Sequence, residues 1–412
     1  MSRKNSVAGA VLALACLTFP VFPDQGQRVL TLEKAVEIAL ARNPEVLSAR
    51  AEVEASRGRS LQIGSRPEAQ ITAGVEGMPI PGTDKDQETE ISLSFEQMIE
   101  FPGKRSTRAE LGRLGIGLAE AELQRITLVV TARVKRAYWL AVFTGSAELA
   151  LDTSLTRLDR LLADLQEKYR AGTAAYADVL RARAEKARLR NLRLEQENER
   201  RRARSELHRL LDWRSGEADA LLDAMPFSPL SATLEDLQEH ARSSSPSQKI
   251  AALRQDRAAA ALKLARLNGS PDLTAALSLP SVRPGGWGLS FGLTLPFLQP
   301  RLSKGLALEA SAEAEVAGLL AAARERHARS ALETAYASAK IAEEQVHVFE
   351  QSLLRELTDE LRIQVEYYRY GQVDFHDLLD LHRTLVMAEI DHLRAILMFN
   401  LALADLEVAG EE

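Results

Sequence analysis

The chain has 412 residues, of which 46% are hydrophobic, 27% charged and 5% aromatic, a composition that is neither disordered nor collagen-like and suffices to bury a core. A formal net charge of −6, from 52 basic and 58 acidic residues, gives no support to a nucleic-acid binder, whose footprint is a basic surface. The single cysteine, Cys16, excludes a disulfide framework and a cysteine-based metal centre.

The chain starts with Ser2-Arg3-Lys4 followed by an apolar stretch from Val7 to Phe22. A basic n-region before a short h-region predicts a secretory signal over 1–23, too short and too early for a spanning helix. Its end reads in two ways. Ala13-Leu14-Ala15 fits the small-x-small cleavage pattern, which makes Cys16 a candidate lipidated first residue, although Ala13 stands where such signals carry an aliphatic residue. In the other reading Cys16 lies within or just past an ordinary signal. Removal of Arg3 and Lys4 takes the net charge from −6 to −8.

The 15 prolines leave two empty runs, 103–225 and 301–412, both rich in Ala, Leu, Arg and Glu. Proline inside a helix costs about 3 kcal/mol, so these runs permit very long helices. Taken in order, Thr31 to Ala41 carries Leu32, Ala35, Val36, Ala39 and Leu40 on one helical face, with Thr31 as N-cap. The helix resumes after Asn43-Pro44 and runs to Ile63. A β-hairpin follows at about 67–99, with Ala69, Ile71, Ala73 and Val75 facing Ile91, Leu93 and Phe95 across a Pro/Gly/Asp loop. From Arg105 to Arg170 the pattern predicts one helix of about 100 Å at 1.5 Å per residue. Gly172 marks the turn, Lys168 and Arg170 suit the C-terminal end of the dipole, and the chain returns from Tyr176 to Trp213. The charged run EQENERRRAR (195–204) reads as a solvated face.

After a linker at 214–232 the layout recurs. Thr233 to Leu267 is helical, and Leu273, Ala275, Leu277 and Leu279 face the alternating strand Trp287, Leu289, Phe291, Leu293 and Leu295 in a hairpin at about 271–297. Arg324 to Arg369 and Phe375 to Val408 form the second helical hairpin around Gly371. The repeat is explicit in the residues: EKYRAGTAAYADVL from Glu167 aligns with EYYRYGQVDFHDLL from Glu366 at an offset of 199, pairing Tyr169/Tyr368, Arg170/Arg369, Gly172/Gly371 and Asp178/Asp377. The chain therefore divides into two structural repeats, 27–213 and 233–410, with helical hairpins at 103–213 and 301–410.

Strands of this length, apolar on one face and small or polar on the other, suit a membrane β-barrel with a wet lumen. Trp287, at a strand end, suits the interface. A water-facing hairpin packed on the helices is the alternative. Four strands cannot close around a lumen, and an open edge in lipid leaves backbone groups unpaired, so the membrane reading requires oligomers: twelve strands from three copies, or eight from two.

A signal followed by two copies of helix, β-hairpin and helical hairpin, each with Tyr-x-x-Gly-x5-Asp-(Val/Leu)-Leu at the tip, resembles the TolC-type outer-membrane efflux proteins over essentially the whole mature chain. FEQMIEFPGKRSTR (95–108), through Glu100 and Pro102-Gly103-Lys104-Arg105, and LTLPFLQPRLSKG (293–305) resemble the strand-to-helix junctions of the Czc-like branch serving tripartite heavy-metal cation exporters. The second departs from that branch after Pro-Phe. The resemblance implies a mainly α fold with a membrane β part: a homotrimer with a 12-stranded barrel in outer-membrane lipid and a periplasmic α-barrel. It also implies a periplasmic adaptor (membrane fusion) protein and an inner-membrane RND-type pump as partners, with no cofactor and no chemistry in the channel itself.

By the same resemblance Gly172, Gly371, Tyr169, Arg170 and Arg369 belong to the adaptor-docking tips, and Asp377, Asp380, Asp178 and Tyr368 to the periplasmic aperture. Asp377 and Asp380 share a helical face and, in three copies, ring the entrance with six carboxylates that attract cations; two solvated acids near a helix N-terminus is the plainer reading. The family's gate carries an Arg where this chain has Val373, and Arg181 stands in the first copy where Asp380 stands in the second, so a different latch is expected. The seven histidines include no HxxxH pair and supply no metal-ligand set, and no enzyme motif is present. A periplasmic adaptor or coiled-coil scaffold protein is the competing class; it normally shows one helical hairpin and more soluble β-structure.

Overall fold

The computed structural model describes residues 29–76, 90–213, 225–280, 286–350 and 353–411. The expected signal with Cys16, and residues 214–224 of the expected linker, lie outside them. The elements run α1 (Leu32–Arg42), α2 (Pro44–Gly64), β1 (Gln70–Glu76), β2 (Glu90–Ile99), α3 (Lys104–Arg170), α4 (Tyr176–Leu210), α5 (Leu234–Ser244), α6 (Pro246–Leu267), β3 (Leu273–Pro280), β4 (Gly288–Leu293), α7 (Pro300–Glu350), α8 (Leu353–Arg369) and α9 (Phe375–Glu411). The fold is mainly helical with one four-stranded antiparallel sheet.

The paired short helices are set by their caps. Thr31 Oγ1 accepts from the Lys34 N–H at 3.3 Å, and Thr233 forms a reciprocal capping box with Asp236 at the head of α5. Between the two helices of each pair sits an N-cap followed by proline at the first helical position. Asn43 Oδ1 accepts from Glu45 N at 2.9 Å, and Ser245 Oγ from Gln248 N at 3.1 Å. Pro44 and Pro246 lack the N–H that a first-turn residue leaves unpaired anyway, so the chain breaks and restarts there at little cost. Asn43 also donates to the Leu210 carbonyl at 3.2 Å, which ties the first short helices to the end of α4.

Helix α3 has 67 residues, about 100 Å at 1.5 Å per residue. It packs against α2, α4, α6 and α9, and α6 in turn packs on α7. Two apolar clusters hold it. One surrounds Tyr138, fully buried, whose hydroxyl donates to the Leu30 carbonyl at 3.0 Å. The other, nearer the turn after α3, gathers Leu158, Leu165 and Ala182 from the first helical hairpin with Leu378 and Leu385 from the second. The two hairpins therefore share one core rather than standing apart.

The strand order is β1-β2-β3-β4, so the two repeats meet at the β2/β3 pairing. Alternation had suggested a strand through Leu295; β4 ends at Leu293, and Leu295 leads into a short 3₁₀ turn at Pro296–Leu298. Pro296 restricts the residue before it and has no N–H to give a ladder.

Where the sheet meets the helices, two ion pairs lock the joint. The buried Lys104 ammonium donates to both Asp272 oxygens at 2.9 and 2.8 Å and to the Ser270 carbonyl at 2.9 Å. Asp272 also accepts from the Phe101 N–H at 2.7 Å. Arg108 pairs with Glu100 through both guanidinium nitrogens and donates to the Ile63 and Ser65 carbonyls at 2.7 and 2.9 Å.

Candidate functional site: the sheet and the hairpin tips

The register sorts the sheet into two faces. Ile71 lies opposite Phe95, Ala73 opposite Leu93 and Val75 opposite Ile91; Leu93 is then opposite Leu279 and Phe95 opposite Leu277; Leu277 is opposite Leu289, Ala275 opposite Phe291 and Leu273 opposite Leu293. Residues two apart on a strand share its face, so these side chains form one apolar surface across all four strands. The other face carries Thr72, Gly74, Ser92, Ser94, Thr274, Ala276, Ser278, Ser290 and Gly292. The apolar face is open: Phe291 is 67% exposed and Trp287 70%, with Leu289, Leu293 and Leu295 also exposed. Contiguous exposed apolar surface of this kind is uncommon on water-facing protein and marks an interaction site. No described helix is long and apolar enough to cross a membrane.

At the other candidate region, each helical hairpin turns through the same cap. Gly172 has φ +75° and Gly371 φ +72°, the left-handed region where only glycine avoids a Cβ clash. In the first tip the Gly172 N–H donates to the Tyr169 carbonyl at 3.0 Å and Thr173 N–H to Lys168 at 2.9 Å; in the second Gly371 donates to Tyr368 at 3.1 Å and Gln372 to Tyr367 at 2.9 Å. This double closure is the Schellman pattern. Tyr169 lies 5.5 Å from Tyr176, ring to ring, and both are exposed. Arg170 is exposed, while Arg369 is held by Glu366 at 2.9 Å and by Asp164 at 3.5 Å.

The four expected aperture residues fall into different environments. Asp377 is 73% exposed, with His376 Nδ1 4.0 Å away. Asp380 has one oxygen 3.1 Å from Arg383 Nη1 and the other 3.2 Å from His376 Nδ1. Arg383 also donates to Glu185 at 2.8 Å, a buried carboxylate on α4. Asp178 is engaged by Arg181 at 2.9 Å on its own helix. Tyr368 points into the shared core, its ring 5.7 Å from that of Phe375, and its hydroxyl has no hydrogen-bond partner among the described residues. Burial, reinforced by the Asp178 and Asp164 carboxylates, pushes that phenol up to about 12. Val373 is half-buried and carries no charge to the tip.

Sequence reasoning placed Lys168 at the C-terminal end of the first tip helix without a link to the second tip, and did not single out His376, Arg383 or Glu185 as tip residues. His376 and Asp380, four apart at the start of α9, are a legible helical pair. Glu185 and Arg383 are 198 residues apart in the chain, a relation that only the packing of α4 on α9 reveals. Among the described residues no group of three or more His, Cys, Asp or Glu is arranged to hold a metal ion.

No family model matches the sequence. The chain is 24% identical over 387 residues to the cobalt-zinc-cadmium resistance protein CzcC of Cupriavidus metallidurans, covering 91% of this chain and 88% of that protein. Among solved structures it is similar to the outer-membrane channel OprN, with a TM-score of 0.79 at 18% identity, over 92% of this chain and 89% of that one. It is also similar to CusC, described in terms of transmembrane channel formation, with a TM-score of 0.78 at 16% identity over 92% and 91% of the two chains. The fold of this chain is therefore that of the TolC-type outer-membrane channels.

Proposed function

We propose that three copies of the chain form a passive efflux duct in the outer membrane. Their sheets join as a twelve-stranded barrel in lipid, and their helices extend as an α-barrel through the periplasm. The hairpin tips meet a periplasmic adaptor and an inner-membrane RND-type pump that supplies substrate and energy. The chain does no covalent chemistry in this reading.

The observation that carries it is the sheet. An apolar face continuous over four strands is exposed, while β1 and β4 are edges with no further strand beside them among the described residues. Each unpaired backbone group in hydrocarbon costs several kcal/mol, so pairing β4 of one copy with β1 of the next satisfies the edges and seats the apolar face in lipid. The small and polar face then lines a wet lumen. Metal cations are the proposed cargo. The match to a cobalt-zinc-cadmium resistance protein and the exposed Asp377 carboxylate support that choice, and selection among metals then lies in the pump.

Envelope fractionation tests the assignment. A membrane protein of this kind resists salt and alkaline washing, is released by detergent, and then has the mass of three chains. Release without detergent, as a monomer, overturns it and favours a soluble periplasmic scaffold.

A further inference from the structure

One residue closes both hairpin tips. Lys168 lies in the last turn of α3, and its carbonyl accepts from the Thr173 N–H at 2.9 Å and the Thr173 hydroxyl at 3.0 Å. Its ammonium leaves that hairpin for the other, donating to the Tyr368 carbonyl at 2.5 Å and the Arg369 carbonyl at 3.3 Å. These are the last carbonyls of α8, where a cation meets the negative end of the helix dipole. The same ammonium stands 4.1 Å from the centroid of the Tyr368 ring, within cation–π range. A weaker link runs the other way, from Arg369 to Asp164 at 3.5 Å.

Three other tip positions supply no second tie of this kind. Asp178 is engaged within its own helix by Arg181, the Tyr368 hydroxyl is buried without a partner among the described residues, and position 373 is valine. The repeat breaks at this point: at an offset of 199 from Lys168 the second copy has Tyr367, which is exposed. The tie therefore runs from the first hairpin to the second through a residue only one copy possesses.

We infer that Lys168 is the positioning residue that sets the resting separation of the two tips within each chain, so that widening the aperture requires its ammonium to leave the α8 carbonyls. This rests on reading the tips as the periplasmic aperture of the duct. Lys168 acts through α8 and touches no cargo. Losing the tie leaves each α8 end held only by the weaker Arg369–Asp164 contact and the shared core.

The test uses full-length protein extracted from membranes. Lys168→Met keeps the aliphatic stem and removes the charge and its three N–H donors; Lys168→Arg keeps a charged donor. In planar bilayers Lys168→Met is expected to raise the fraction of time in the high-conductance state about tenfold, with Lys168→Arg close to wild type and all three proteins melting alike. Spin labels at the exposed positions Ala171 and Tyr370 report separation directly: the distance distribution broadens in Lys168→Met and not in Lys168→Arg. Wild-type conductance together with a wild-type distance distribution in Lys168→Met overturns the inference. Should wild-type protein fail to conduct at all, the aperture reading falls, and the spin-label comparison still decides whether Lys168 ties the tips. If Lys168→Met does not assemble, Lys168→Ala is measured in its place.

Discussion

Lys104 and Asp272, from different repeats, form an ion pair at 2.8 Å where the sheet turns into the helices, the ammonium buried and the carboxylate half-buried. All three ammonium protons find oxygen acceptors on the second repeat. The carboxylate also takes the Phe101 N–H, so the first strand-to-helix junction is fastened to the strand entry of the second.

Removing one partner of a buried pair leaves an uncompensated charge and costs about 3–5 kcal/mol. Lys104→Met alone and Asp272→Leu alone are both expected to lower the unfolding midpoint strongly. The double replacement recovers much of the loss because neither charge remains. Denaturant titration of the three variants checks this, and an additive double variant contradicts the pair.

The two faces of the sheet predict opposite tolerance. Phe291→Arg places a charge on the apolar face at a cost of about 2–4 kcal/mol if that position lies near the bilayer midplane, and membrane-inserted protein falls sharply. Ser290→Arg, one residue earlier on the other face, leaves insertion near wild type. Quantifying inserted protein after alkaline washing separates the two; equal loss from both contradicts the assigned faces.

His382 is fully buried, and neither ring nitrogen meets a partner at hydrogen-bonding geometry. Burial holds its pKa below the usual 6.5; the Ser154 backbone and Glu185 oppose that, and Arg157 and Arg383 add to it. A base with a depressed folded-state pKa protonates first in the unfolded chain, so stability is complete above about pH 6.5 and falls as pH drops through the folded-state value. His382→Leu is expected to show a smaller loss of unfolding midpoint between pH 7.5 and 5.5 than wild type. An equal loss in both removes His382 as the cause.

The tip carboxylates are not equivalent. Asp380 is balanced by Arg383 at 3.1 Å, whereas Asp377 has no arginine or lysine partner among the described residues. Asp377→Asn is therefore expected to remove most of the cation preference of the duct, and Asp380→Asn little of it. Reversal potentials in a salt gradient measure this, and unchanged selectivity in the double Asp377→Ala/Asp380→Ala protein rules out the ring.

Much of this architecture is legible in the residues because its signals are local. Pro44 and Pro246 mark helix starts, Gly172 and Gly371 mark tip turns, and the period-2 alternation from Trp287 marks the fourth strand. Pattern alone overran that strand to Leu295, since the effect of Pro296 on the residue before it outweighs continued alternation. The tips were less legible. Tyr368 and Asp178 match a motif by position, but whether a side chain faces an opening or a core depends on which helices pack around it. Here Tyr368 is turned inward by α9, Asp178 is taken by Arg181, and the inter-hairpin tie falls to Lys168, whose partners lie 200 and 201 residues away.

The central claim, that the exposed sheet is one third of a conducting barrel, is tested most directly by reconstituting the detergent-extracted protein in planar bilayers and recording single-channel current. The account predicts discrete, cation-favouring conductance steps from a particle with the mass of three chains. Folded protein of that mass that inserts and passes no current contradicts it.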